Sequence, residues 1–310
     1  MTITTSIVIP AYDEAERLGA GYERLSSVWA TMSVDEVEVI VVDDGSSDDT
    51  LVVAHKIYGH LPHTLFVQQP ANRGKGAAVR LGVSLARGDY VIVADADMAI
   101  NPIHFPQIIS ALHDCPVVPG SRSSDRHIRY DSRLRTIAGS AFNILVRHYT
   151  GTTLRDTQCG CKGLQRGPAR LLALLGRVDG FAFDAELLFL AAQLGLEVRP
   201  VAVTWNDVHG SSVKIGRDSF TMLRDIRSLR ATNYENPAVE FAPDVDVEAI
   251  DHVARQSRTQ GLVLARGDRN ALLVLARDGS FAGHAIATAL NGTLRTTGPG
   301  ELRGRSFDAV

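Results

Sequence analysis

Two carboxylates one residue apart, at the end of an apolar strand, are the strongest chemical signal in this 310-residue sequence. Residues 91–94 read as a buried strand, and Asp95-Ala96-Asp97 begins where it stops. Where a strand gives way to a turn, both side chains can approach one divalent ion. Oxygen donors of this kind suit Mg²⁺ or Mn²⁺, whose charge would offset a diphosphate. A second acidic pair, Asp43-Asp44, closes the apolar run 37–42 and is followed by Gly45, Ser46 and Ser47. A carboxylate there can accept from a uracil N3–H or from ribose hydroxyls, and Ser47 or Asp48 suits the N-cap of the next helix. A third segment, Asn72-Arg73-Gly74-Lys75-Gly76, sets glycines around two cations at a helix start, so that backbone can approach an anion or a base. It is not a G-x-x-x-x-G-K-[ST] loop. No G-x-G-x-x-G fingerprint follows the first strand, which argues against a dinucleotide dehydrogenase.

The elements that must hold these residues alternate. Strand signals at 3–9, 37–42, 65–68 and 91–94 are separated by helical stretches at 14–32, 47–58 and 76–86. This βαβαβαβ order predicts an α/β fold: a Rossmann-like, doubly wound and mostly parallel sheet with helices on both faces. Ligands of such a sheet lie at the carboxyl ends of its strands, where the acidic pairs fall. Further on, residues 132–149 carry an i, i+3, i+4, i+7 apolar stripe flanked by Arg129, Arg133, Arg135 and Arg147. That helix can pack on the sheet or lie in a lipid headgroup layer. A second basic helix is expected at 219–230. The stretch 233–245, with Pro237 and Pro243, reads as a linker between a domain at 1–232 and a small α/β appendage at 246–310. In that appendage, helices are expected at 246–260 and 282–290 and strands at 261–265 and 271–276.

Composition narrows the classes. With 45% apolar and 22% charged residues the chain is an ordinary globular one, and a net charge of −3 argues against bulk nucleic-acid binding. Charges or turn residues break every candidate run of the ~18 apolar residues that a helical membrane span needs. No signal-peptide pattern opens the sequence, so a cytoplasmic placement is expected. Three cysteines are too few for a disulfide framework, and Cys159-x-Cys161 lacks a second metal-binding pair, so these read as structural thiols.

Taken together, Pro10-Ala11-Tyr12-Asp13-Glu14, Val42-Asp43-Asp44-Gly45-Ser46, Arg73-Gly74-Lys75-Gly76 and Asp95-Ala96-Asp97 resemble the family 2 glycosyltransferases of the GT-A fold. Gly120-Ser121-Arg122, Asp156-Thr157-Gln158-Cys159-Gly160 and Phe183-Asp184-Ala185-Glu186-Leu187-Leu188 are similar to the dolichyl-phosphate glucosyltransferases and mannose synthases, the glucosyl branch more closely. The resemblance covers about residues 3–230. It implies that Pro10, Tyr12 and Glu14 border the nucleotide, Asp43 and Asp44 its base and ribose, and Lys75 the base. It makes Asp95 and Asp97 the sugar-proximal and metal-binding pair. Arg122 would lie near the donor diphosphate and acceptor phosphate, with Asp156 and Gln158 in the sugar and acceptor pocket. His209 is read either as a late metal ligand or as a surface hydrogen-bonding residue, and Lys214, beside the Gly210-Ser211 loop, either as a phosphate contact or as a surface lysine. Two departures stand out. Ala99 occupies a position where mannose synthases often carry Gln, and Gly210-Ser211-Ser212-Val213-Lys214 is one residue longer than the usual Gly-Ser-Lys spacing.

The implied activity is an inverting transfer of a hexose, glucose favoured, from a UDP- or GDP-sugar to a polyprenyl or dolichyl phosphate. The divalent ion would be Mg²⁺ or Mn²⁺, and the chain would sit peripherally on a membrane surface. A phosphate acceptor needs no base, whereas a hydroxyl acceptor on a saccharide or metabolite needs one, with Asp184 the natural candidate. A nucleotide-sugar sensor without catalysis is the third reading.

Overall fold

The computed structural model describes residues 3–122 and 156–205, together with 144, 146–149, 152, 154, 222, 224–227, 229, 261–262 and 275–276. Most of these belong to one compact unit, Met1–Arg166 with Gly176–Asn233; the second comprises Gly167–Leu175 and Tyr234–Val310.

A seven-stranded sheet forms the first unit, in the order β3-β2-β1-β4-β6-β5-β7. Its strands are β1 (Thr5–Ala11), β2 (Val37–Asp43), β3 (Thr64–Gln68), β4 (Tyr90–Val93), β5 (Val117–Ser121), β6 (Lys162–Gln165) and β7 (Val201–Ala202). Strands β1 to β4 are parallel, as the sequence predicts. Strand β6 runs against both of its neighbours, inserted between β4 and β5. The first strands are apolar on both faces because both are covered. Ile7, Ile9, Val39, Val41 and Ile92 join a core cluster with Leu18 and Leu25 of α1 (Leu18–Ser26), Ala54 and Tyr58 of α2 (Thr50–Tyr58), and Phe105, Ile108 and Leu112 of α4 (Phe105–Leu112). On the other face, Val8 and Val42 lie against Gly82 of α3 (Lys75–Leu85).

Helix 14–32 of the sequence reading is shorter in the structure. Its leading residues are drawn into a bridge: Glu14 N–H donates to Thr50 Oγ1 at 2.8 Å and Ala15 N–H to Asp48 Oδ2 at 3.2 Å. The expected cap by Ser47 does not form. Ser47 N–H instead donates to Asp13 Oδ1 at 2.8 Å, while Asp48 Oδ1 takes the Thr50 N–H at 3.0 Å. In the appendage, Gly261–Leu262 and Leu275–Ala276 pair antiparallel, at two of the expected strands. Most of the stripe at 132–149, and the helices expected at 246–260 and 282–290, lie outside the described residues. Of the basic helix expected at 219–230, residues 222, 224–227 and 229 are helical. No helix among the described residues is long and apolar enough to cross a membrane.

Helix α1 presses on the turn that carries Asp95 and Asp97. A Cβ at Gly21 would stand 2.0 Å from the Ala96 carbonyl oxygen. Alanine ordinarily stabilises a helix interior over glycine by roughly 0.5–1 kcal/mol. Here the sign should reverse. Gly21→Ala should cost about 1–3 kcal/mol in urea unfolding, because either helix or turn must shift. A variant as stable as the parent chain would show that the turn does not rest on α1.

Candidate active site

Strand β2 delivers Asp43 and Asp44 to the carboxyl edge of the sheet, and both are buried, 1% and 3% exposed. Neither side chain is idle. Asp43 accepts from Ser46 N–H at 3.0 Å and Gln68 Nε2 at 2.9 Å. Asp44 accepts from Gln69 Nε2 at 2.8 Å and from the backbone N–H groups of Arg73, at 2.9 Å, and Gly74, at 2.7 Å. Burial pushes the Asp44 carboxyl above its ordinary value, and the two backbone donors pull it back. The pair thus ties the loop after β2 to the start of α3. Gly74 has φ +107°, a conformation that L side chains avoid, so the 73–75 loop can present its N–H groups inward.

Helix α3 opens on Lys75, whose ammonium pairs with Asp95 Oδ1 at 2.5 Å. Burial works against that charge, but Asp95, Asp184 and Asp97 outweigh it, and the ammonium stays protonated well above the usual lysine range. Asp95 also lies against Gly160, where a Cβ would stand 2.0 Å from Asp95 Oδ2. Only glycine admits the carboxylate there. Asp97 is fixed differently: its Oδ1 accepts from Ala99 N–H at 3.0 Å, and its carbonyl accepts from Arg24 at 2.8 Å. Met98, next in the turn, has φ +46° and is buried, which places backbone strain at this point. Burial, and then the Asp95 charge, raise the Asp97 carboxyl. Two half-buried carboxylates that repel each other form a donor set suited to a hard divalent cation, which would relieve both effects. Asp95 and Asp97 therefore fit such an ion.

Glu14, just past β1, belongs to the same electrostatic cluster. Burial raises its carboxyl to about 7, Arg17 opposes the rise, and Asp97 and Asp95 add to it. Arg17 grips it at 2.6 Å. Pro10 is buried in β1, beyond the last pairing with β4 (Val8 with Val93), so its missing N–H costs no bond on that side. Tyr12 is 40% exposed at the rim.

A second wall comes from β5, β6 and the helix Phe183–Gln193. Arg122 follows β5 and meets Asp156 through Nε at 2.8 Å and Nη2 at 2.9 Å, with its backbone N–H on the same carboxylate at 2.9 Å. Burial opposes the Asp156 charge, but the hydrogen bonds and charge of Arg122 hold that carboxyl below its ordinary value. The guanidinium also reaches the Gln158 carbonyl at 3.4 Å. Asp184, the base candidate for a hydroxyl acceptor, is buried in an ion pair with Lys162 Nζ at 2.5 Å. Lys162 is absent from the sequence-derived set. Its signal was a lone charge between Cys161 and Gly163 in a strand-length run, and its partner lies on another element. His209, Ser211 and Lys214 lie outside the described residues, and among the described residues no group of three or more metal-ligating side chains occurs.

The sheet order sets the acidic ends of β2 and β4 along one edge, with the Arg122–Asp156 pair following β5. Residues 6–172 match the family described as Glycosyl transferase family 2, and the chain belongs to that family of enzymes. It is similar to the dolichyl-phosphate beta-glucosyltransferase of Drosophila melanogaster, 35% identical over 71% of this chain and 74% of that protein. The Dictyostelium discoideum protein of that name is 32% identical over 74% of each, and the Homo sapiens one 34% over 67% and 69%. Among solved structures, glucosyl-3-phosphoglycerate synthase from Mycobacterium tuberculosis with UDP superposes with a TM-score of 0.54 at 22% identity, covering 77% and 82% of the two chains. The same enzyme with Mn²⁺, UDP-glucose and phosphoglyceric acid gives 0.54 at 20% identity over the same shares. The fold is GT-A, and such neighbours are seen with Mn²⁺ or Mg²⁺.

The raised Glu14 carboxyl makes stability depend on pH. Between its ordinary 4.5 and about 7 the folded chain keeps a proton that the unfolded chain has lost. The group's contribution is thus complete below about pH 4.5 and is lost as pH rises through about 7. In EDTA, Glu14→Gln should gain stability relative to the parent as pH goes from about 5 to about 8. Parallel urea midpoints across that range would show Glu14 to be unperturbed.

Proposed function

We propose that this chain is an inverting glucosyltransferase that moves glucose from UDP-glucose to dolichyl or another polyprenyl phosphate while resting on a membrane surface. The similarity to dolichyl-phosphate beta-glucosyltransferases supports the sugar and the acceptor. One observation carries the acceptor's chemistry. The two carboxylates of the second wall are engaged, Asp156 by Arg122 and Asp184 by Lys162. A hydroxyl acceptor needs a base to take its proton, whereas a phosphate arrives ionised.

The reaction is then one in-line displacement. A phosphate oxygen of the acceptor bonds to the anomeric carbon as the bond from that carbon to the UDP oxygen breaks. A single inversion of an α-linked donor gives a β product. Charge grows on the departing diphosphate. Arg122, fixed by its fork on Asp156, supplies a cation that need not reorganise. A divalent ion held by Asp95 and Asp97 would supply further positive charge at that diphosphate. Asp43 and Asp44 shape the loop that receives the base and ribose, with Pro10, Tyr12 and Glu14 along its border. Lys75 stands at the Asp95 end. Transfer is assigned to residues 1–232.

The test is transfer of labelled glucose from UDP-glucose to dolichyl phosphate in vesicles, with a saccharide acceptor in parallel. Lipid product should form only with Mg²⁺ or Mn²⁺, and Asp97→Asn should lower its rate on the order of 10²-fold or more with the fold intact. Glucosylation of the saccharide alone would hand the case to a soluble, hydroxyl-accepting enzyme. Donor binding with neither product would point to a sensor.

A further inference from the structure

Two lysine ammonium groups meet at one ring, and each is paired with an aspartate. The ammonium groups of Lys75 and Lys162 each lie 5.7 Å from the centroid of Phe183, the first residue of its helix. Lys75 pairs with Asp95, and Lys162 pairs with Asp184, both at 2.5 Å. Two ion pairs whose cations share one ring can exchange partners, with Lys75 on Asp184. Asp184 already acts on Lys75, second only to Asp95 among the charges that hold its proton. The observed pairing is selected by the tether on Lys162. Its ammonium also donates to the Cys159 carbonyl at 2.5 Å, three residues back along its own chain, and its side chain is only 2% exposed.

We propose that Lys162 is a positioning residue: by neutralising Asp184 it reserves Lys75 for Asp95. Without Lys162, Asp184 is a buried anion with no partner. A buried charge in that state costs enough to draw in a neighbouring mobile cation. Lys75 is that cation, 19% exposed and on a flexible stem, and its departure strips Asp95 of the ammonium that fixes it opposite Gly160. The consequence for turnover rests on the donor-site role of Asp95 proposed above; the pairing itself does not.

The experiment reads the pairing directly. In the full chain with ¹³C,¹⁵N-labelled lysine, the Lys75 side-chain signal is assigned by its loss in Lys75→Met. It should move when Asp95→Asn is introduced. In Lys162→Gln, which can still donate to Cys159, Asp95→Asn should leave the Lys75 signal nearly still. Lys162→Gln with Asp184→Asn should restore the response, and Lys162→Arg should keep it. In glucose transfer, Lys162→Gln should lose on the order of 10²-fold in kcat/KM, because the reacting groups are misplaced. Asp184→Asn in the same chain should recover most of that loss. An Asp95→Asn response of Lys75 that is equal with and without Lys162 overturns the proposal. So does a Lys162→Gln enzyme that loses only folded protein, with its KM for UDP-glucose unmoved. If Lys162→Gln does not fold, the neutral pair Lys162→Met with Asp184→Asn decides: Lys75 must still answer to Asp95→Asn, and a silent signal refutes the inference. A parent chain that transfers no glucose defeats the proposed function, while the Lys75 signal still decides this point.

Discussion

Like charges crowded at one edge of a sheet must each be answered by a donor, and this requirement organises the whole site. Glu14, Asp43, Asp44, Asp95, Asp97, Asp156 and Asp184 all reach that region with little water to solvate them. Each meets its need in its own way. Asp44 uses backbone N–H groups of the next helix start. Asp156 uses a guanidinium fork, and Asp184 a buried ammonium. Burial nonetheless raises Glu14, Asp44 and Asp97 above their ordinary values. An uncompensated remainder of negative charge is what a divalent cation can exploit.

The answers also fix shape. Because Asp44 reaches across to the 73–74 backbone, the loop after β2 is held to the start of α3. Asp95 packs directly on Gly160, in the segment 156–160, so a side chain there would have to displace the carboxylate. Arg122 closes the same segment from the other side through Asp156 and the Gln158 carbonyl. Preorganisation of this kind is where charged groups are most useful to a displacement that builds charge on a leaving group.

Much of this was legible in the sequence, for physical reasons. Parallel strands covered on both faces are largely apolar, so the nearly continuous runs 37–42 and 91–94 announced themselves, and the acids that ended them marked the carboxyl edge of the sheet. Short elements with mixed composition were not legible. Strand β6, Lys162–Gln165, contains a lysine, a glycine and a glutamine, and nothing local marks it as a strand. Its partners on the ladder lie far away in the chain, so the antiparallel insertion went unseen. Pairings between elements were equally hidden: Asp184 read as a free acid at a pocket because Lys162 could not be placed opposite it. The cap expected from Ser47 failed for the same reason. A distant residue, Asp13, takes its hydroxyl as well as its N–H.

The position of β6 has a consequence for how the molecule is made. Strands β4 and β5 are both synthesised before it, yet it separates them in the finished sheet. Until residue 165 has left the ribosome, the parallel half β3-β2-β1-β4 carries an open edge at β4, and β5 has no partner on that side. Unpaired edges recruit other chains as readily as their own. The short strand that brings Lys162 under Asp184 is thus also the seal on a growing sheet. A substitution that delays its entry would surface first as aggregation during synthesis, before any enzyme could be assayed.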